Sequence, residues 1–258
     1  MGRFVIAVDG MNPGINSDHQ VTGRLESIFT STGKIISENE VALVLMNMEN
    51  TYTVMKIILD TVNNYDRVKY INGYSRDIIS IFTRVEVSRP GGTDGNEYSS
   101  VSNGKDAGRP LPSSNASHLE PVDILEKSAI MNLMADGYLP LISAPGAPVV
   151  KNLQYYSSVK GTVESNMYSS LLATLIEADT LMVITNAPLD PLNTWHNNNS
   201  GVIKMDYMGL QEKYMSGYYK DTGLGSMIKA IISFISKGGS RSLIIPAGRM
   251  DRGIEISR

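Results

Sequence analysis

Five short apolar runs, separated by helix-patterned stretches, constrain the fold of this chain more than any other feature. They are Phe4–Val8, Val41–Met46, Tyr138–Ile142, Leu181–Thr185 and Ser242–Pro246. They are rich in Val, Ile and Leu and alternate little with polar residues, the pattern of strands covered on both faces of a parallel sheet. Between them, Val54, Met55, Ile58, Leu59 and Val62 recur at the i, i+3/i+4 spacing of one helix face. Leu25, Ile28, Phe29, Ile35 and Ile36 approximate another. Asp123-Ile-Leu-Glu126 reads as a capping box opening a helix that carries Ile130, Leu133 and Met134 and ends at Gly137. Further helices are expected over Ser169–Ala178 and over Met227–Lys237, the second stopping at Gly238-Gly239. Strand–helix alternation at this spacing predicts right-handed crossovers and a mainly parallel sheet with helices on both faces.

Composition narrows the function classes. A chain of 258 residues suits one large α/β domain or two small ones and can bury a sizeable core. Its 23 basic and 26 acidic residues lack the basic excess expected of a nucleic-acid binder or of a polybasic membrane patch. The absence of cysteine excludes a disulfide scaffold, a thiolate metal site and a cysteine nucleophile. The first apolar run is too short for a secretory leader, and no stretch of about 18 apolar residues exists. The expectation is a cytoplasmic protein with neither membrane nor nucleic acid as partner. The Asn-x-Ser sites at Asn115 and Asn198 then read as loop sequence.

In a parallel sheet, ligands bind beyond the carboxyl ends of the strands. The turns to search are therefore Asp9–Asn16, Asn47–Thr51, Ser143–Pro148 and Asn186–Asn193, together with the glycine-rich turn Asp221–Gly225. Small residues in Ser143-Ala-Pro-Gly146 allow close backbone approach, although its prolines remove amide donors. Gly223-Leu-Gly225-Ser226 precedes a helix, so it reads either as an anion-binding helix start or as a plain helix entry with Ser226 as N-cap. It is not a P-loop, since no Gly-Lys-Ser/Thr follows. His19, His118 and His196 lack ligand spacing, and Gly-x-Ser-x-Gly does not occur. Trp195, Tyr214, Tyr218 and Tyr219 are candidates either for base stacking or for partial core burial. Residues 88–120 are dense in Gly, Ser, Asn and Pro, as expected of a lid or flap.

Taken in order, several segments resemble the carbamate kinase branch of the amino acid kinase family. They are Asp106-Ala-Gly-Arg109, Pro121-Val-Asp123-Ile-Leu-Glu126, Ala144-Pro-Gly-Ala-Pro148-Val-Val150, Ser169-Ser-Leu-Leu-Ala173, Leu181–Thr185, Gly238–Ile245 and Gly253–Arg258. The resemblance covers nearly the whole chain. It implies a three-layer αβα sandwich around a mainly parallel sheet, formed by one domain over residues 1–258. Residues 1–160, with the lid at 88–120, would be the side that holds carbamate or carbamoyl phosphate. Residues 161–258 would hold ATP or ADP with magnesium. By the same resemblance the protein is a homodimer, its ligands are a small-molecule anion and a nucleotide, and its chemistry is phosphoryl transfer. Carried over position by position, the phosphate and substrate contacts fall on Gly10, Asn12, Gly146 and Asn166, and the nucleotide contacts on Asn186, Gly223 and Gly225.

The departures concentrate where the family needs positive charge. Its lysine positions fall on Glu120, Ser165 and Met227. A gapped match would instead bring Lys229 to the glycine-rich turn, at the expense of the helix register to Gly238. The family's glycines also become Asp9 and the bulky run Met46–Thr51. Phosphoryl transfer relies on positioning and on stabilising charge spread over phosphate oxygens. Losing one preorganised donor can cost on the order of 10²–10³ in rate. The expectation is therefore weak or lost kinase activity. The alternative is an active small-molecule kinase with a rearranged site, in which Lys151, Lys160, Lys204 or Lys220 replaces the missing charge and Asp9, Glu164 or Asp190 helps to hold magnesium.

Overall fold

The computed structural model describes residues 1–9, 18–46, 67–72, 82–87, 119–143, 145–152, 155–158, 163–193, 201–220, 222–247 and 252–258. The helix expected over 54–62, the turn 47–51, Asp106–Arg109 and the lid segment 88–118 lie outside these residues.

All five apolar runs form strands. The chain proceeds through β1 (Arg3–Val8), α1 (Asp18–Glu38), β2 (Glu40–Leu45), β3 (Val68–Asn72), β4 (Phe82–Val87), β5 (Leu119–Ile124), α2 (Lys127–Ala135), β6 (Leu139–Ser143), β7 (Ala147–Asn152) and β8 (Tyr155–Ser158). It continues with α3 (Ser165–Leu175), β9 (Thr180–Thr185), α4 (Asp190–Asn193), β10 (Val202–Asp206), α5 (Tyr207–Met215), α6 (Gly225–Ser236), β11 (Arg241–Pro246) and β12 (Gly253–Ser257). Eight strands pair in the order β10-β12-β11-β9-β1-β2-β6-β3. The pairs from β11 to β3 are parallel, and β12 runs antiparallel to β11.

Alternate residues of the central strands feed two separate cores, which makes the arrangement three-layered. Val5, Ala7, Ala42, Val44, Leu181 and Val183 pack with Ile130 and Met134 of α2, Leu172 of α3 and Ile228 and Ile231 of α6. Phe4, Ile6, Val8, Leu43, Leu45 and Ile184 pack on the other face with Ile28 and Phe29 of α1. Both faces need apolar residues, which is why these strands read as continuous hydrophobic runs. The fold class expected from the sequence, an α/β sandwich around a mainly parallel sheet, is the one observed. Among the described residues, no helix is long and apolar enough to cross a membrane.

A second sheet of four strands, in the order β5-β4-β7-β8, was not anticipated. Its strands are polar and short: LEPVDI in β5, FTRVEV in β4 and YYSS in β8. Two expectations are corrected here. Leu119 and Glu120, assigned to the lid, begin β5. The proposed capping box does not form, because Asp123 lies in β5 and α2 begins only after Glu126, whose side chain makes no cap bond. Asp123 Oδ1 instead accepts from the Ile124 amide at 2.9 Å and pairs with Lys127 Nζ at 3.0 Å. Glu126 Oε2 accepts from the Phe82 amide at 2.9 Å, tying β4 to the turn that enters α2. The predicted end of α2 does hold: Gly137 has φ +80° and the Tyr138 amide donates to Leu133 O at 2.9 Å.

Burial pushes the Glu126 carboxyl above its ordinary range, against the lowering effect of the Phe82 amide. The folded state therefore holds this proton to higher pH than the unfolded chain does, so stability from this group falls as pH rises through the folded value. Glu126→Gln keeps an acceptor for Phe82 and carries no charge. Urea denaturation should give the variant a higher midpoint than the parent at pH 7, with the difference narrowing as pH falls towards the ordinary carboxyl value of about 4.3.

Candidate functional site

Two helix starts and one strand of the small sheet meet at the carboxyl edge of the large sheet. α3 leads into β9 and α6 into β11, so both helices begin at that edge. Ser169 Oγ of α3 donates to the Met46 sulfur at 3.2 Å, fixing α3 beside the end of β2. Asn166 Nδ2 in the first turn of α3 donates to Ser226 Oγ in the first turn of α6 at 3.0 Å. The Asn166 Oδ1 atom is buried and has no hydrogen-bond partner among the described residues.

An open cavity of about 600 Å³ lies against these turns, lined by Leu119, Glu120 and Pro121 of β5, by Glu164 and Met167 at the start of α3, by Tyr214, Met215, Gly217 and Lys220, and by Gly225, Ser226 and Lys229 of α6. Its volume falls in the usual range for small-molecule sites, about 300–1,000 Å³. The turn into α6 is closed locally. Thr222 Oγ1 donates to Tyr219 O at 2.9 Å and accepts from the Leu224 amide at 3.3 Å, with Gly223 at φ +70°. Gly225 sits so close to Tyr219 O that a Cβ there would lie 3.2 Å from it. Leu224 occupies the N-cap position with no side-chain cap bond, and Ser226, the N-cap the sequence offered, lies inside the helix, where its hydroxyl accepts from Asn166.

Lys229 reaches across the cavity mouth, its Nζ 3.0 Å from Glu120 Oε1. The hydrogen bond to Glu120 is the main cause of a raised lysine pKa, outweighing partial burial. The ammonium is therefore fully charged at neutral pH, and a second cation, Lys220, lines the same cavity.

The structure sorts the positions singled out in the sequence. Glu120 and Gly225 line the cavity, and Asn166 adjoins it through Ser226. Gly223 is in the turn that enters α6 but does not line the cavity. Ser165 and Met227 are 5 % and 3 % exposed, so neither position faces the cavity with a free side chain. Gly146 is buried in the β6–β7 turn at φ +76°, where Thr83 Oγ1 donates to Pro145 O, and is not part of the lining. Asn186 is exposed just beyond β9 and is likewise outside the lining. Gly10, Asn12, Lys160, Trp195, His118 and His196 lie outside the described residues, and His19 is on α1. Lys151 and Lys204 are exposed on β7 and β10, away from the cavity. Of the tyrosines, Tyr214 lines the cavity, Tyr219 is buried and Tyr218 is exposed. Lys229 was displaced from the ungapped register by two positions. Helix periodicity signals it: Met227, Ile228, Ala230, Ile231, Phe234 and Ile235 form the buried face of α6, leaving position 229 on the other side.

This chain is 25% identical to carbamate kinase of Thermoplasma volcanium over 252 residues, covering 87% of this chain and 81% of that protein. It is 30% identical to carbamate kinase 2 of Staphylococcus aureus (strain Mu50) over 210 residues, covering 81% of this chain and 65% of the relative, just under two thirds of its length. The chain is similar to carbamate kinases over most of its length. No family model matches it. The fold agrees with that of carbamate kinase from Giardia lamblia solved with AMP-PNP, at a TM-score of 0.70 and 16% identity over 99% of this chain and 98% of the other.

Restoring the family lysine at its aligned position would not rebuild a phosphate site in this carbamate kinase-like chain. Met227 is in the core, and an uncompensated buried ammonium costs several kcal/mol. Met227→Lys should lower stability by about 3 kcal/mol or more, read as a drop in denaturant midpoint, and should not increase nucleotide-dependent turnover.

Proposed function

We propose that this protein is a small-molecule phosphotransferase of carbamate kinase type, working between ATP or ADP and a small anionic acceptor with a rearranged set of cations. The observation that carries this reading is the Lys229 ammonium on the wall of a cavity that also holds Lys220 and the first turn of α6. Phosphoryl transfer asks mainly for cations and amide donors held where phosphate charge accumulates. Lys229 and Lys220 supply cations, and the helix start at Gly225-Ser226 adds the positive end of its dipole. Relatives named as carbamate kinases and the Giardia enzyme's complex with AMP-PNP support a nucleotide as the second ligand.

Magnesium fits the carboxylates present. The ion is typically held by one or two carboxylates together with phosphate oxygens and water. Glu164 lines the cavity and would be its protein ligand. Among the described residues no group of three or more His, Cys, Asp or Glu side chains is gathered for a metal ion. When bound, it would neutralise charge between the transferred and leaving phosphate groups. The chain's own residues do the remainder: Lys229 and Lys220 bind phosphoryl oxygens, Asn166 holds the two helix starts together, and Tyr214 and Met215 form the wall beside them.

The rate is expected to be low, because two of the three family lysine positions are buried and uncharged and the third is an acid. A fully inactive ligand-binding protein is the competing reading, favoured by Glu120. Thermal unfolding with ADP or ATP, with and without magnesium, separates them. A nucleotide at 100 times its Kd stabilises the folded state by about 2.7 kcal/mol. Magnesium-dependent stabilisation that is largely lost in Lys229→Met, with turnover in a coupled assay, supports the phosphotransferase. Identical melting with and without nucleotide overturns it.

The homodimer is part of the same proposal, supported by the family likeness alone. Sedimentation equilibrium should give twice the mass of the chain at micromolar concentration, and a monomer mass there would remove the dimer from the reading.

A further inference from the structure

We infer that Glu120 is a specificity-determining residue that makes this cavity favour an acceptor carrying an ammonium group beside its acidic group over a simple anion. The inference rests on the phosphotransferase reading and concerns the same site. Its basis is the pairing of Glu120 Oε1 on β5 with Lys229 Nζ on α6 at 3.0 Å, between residues 109 positions apart that both line one cavity.

A simple anion meets a mismatch there. Of the charged residues lining the cavity among the described residues, Glu120 and Glu164 are negative and Lys220 and Lys229 positive, so this part of the lining is balanced. An incoming phosphate or carbamate draws on Lys229 and leaves the Glu120 carboxylate beside a second negative charge. Like charges at that separation repel, and the repulsion is stronger in a partly enclosed cavity than in water. A ligand with both signs has no such conflict. Its ammonium takes over Glu120 while its acidic group takes Lys229, and each protein charge exchanges one partner for another. The exchange is inexpensive because the existing pair is exposed, with side-chain exposures of 58% for Glu120 and 42% for Lys229.

The lining near Glu120 suits a small ligand of this type. Leu119 and Pro121 flank it on β5, and Met167 and Met215 offer apolar contact for a short carbon spacer between the two charges. Lys220 remains available to a phosphate group after Lys229 is engaged. Specificity of this kind comes as much from penalising the wrong ligand as from binding the right one.

The test is isothermal titration of the full chain with two probes, inorganic phosphate and O-phosphoethanolamine, with ADP as a control ligand. The parent should bind O-phosphoethanolamine at least about tenfold more tightly than inorganic phosphate. Glu120→Gln should weaken the first and strengthen the second, removing that preference, while Glu120→Asp retains it; ADP, which also draws on Lys229, is titrated against the parent as the check on the nucleotide site. Glu120 is exposed, so its substitutions should melt with the parent, and the melting curves check this. The same probe ratio in the parent and Glu120→Gln overturns the inference, as does a parent that binds inorganic phosphate as tightly as O-phosphoethanolamine. ADP binding with neither probe bound overturns the role of Glu120 alone. Loss of ADP binding in the parent as well overturns the phosphotransferase reading with it.

Discussion

The structure depends on the burial of both faces of β1, β2 and β9. Val5, Ile6, Ala7 and Val8 are fully buried, as are Ala42, Leu43 and Val44, and each alternate residue contributes to a different core. A sheet buried in this way has to be flanked by helices on both sides, and parallel strands need crossovers to connect them. Those crossovers set the direction of α3 and α6, whose first turns must then lie at the carboxyl edge. The cavity follows from this arrangement: it lies against two helix starts that the sheet has already brought together, and the Asn166–Ser226 hydrogen bond secures them at 3.0 Å.

On this frame the chemistry of the edge is free to change. Ser165 and Met227, where the resemblance places family lysines, lie in the interior at 5 % and 3 % exposure. Neither brings a charge into the packing of α3 or α6. Glu120 acts differently, because it stays on the cavity wall and engages Lys229 directly. Among the described residues the cavity lining thus carries two acids, Glu120 and Glu164, and two lysines, Lys220 and Lys229.

Five of the eight strands of the large sheet were legible in the sequence as short continuous apolar runs, whereas β3, β10 and β12 were not. Nor was the small sheet. In β5 the residues Leu119 and Ile124 are buried while Glu120 is exposed, and a proline and an acid lie between, so neither period two nor an apolar run stands out. Besides its backbone ladders, it is tied in by specific side-chain bonds, such as Glu126 to the Phe82 amide and Thr83 to Pro145 O, which leave no periodic trace. The apparent capping box at Asp123–Glu126 misled for the same reason. Both acids are used by the sheet and its turn, Asp123 by Lys127 and its neighbouring amide, Glu126 by β4.

The position of the cation shows how helix periodicity can outweigh linear register. Two residues along an α-helix correspond to a rotation of about 200°. Met227 and Lys229 therefore lie on nearly opposite sides of α6, one in the core and one on the cavity wall. An ungapped comparison places the family lysine at 227 and concludes that the charge is gone. The buried face of α6, read from Met227, Ile228, Ile231, Phe234 and Ile235, already excludes a charged residue at 227 and leaves 229 available. Lys229, which opens the second turn, keeps the amphipathic pattern that anchors the helix and places an ammonium in the cavity lining. Packing of the helix against the sheet thus fixes which face can carry charge, and Lys229 lies on that face.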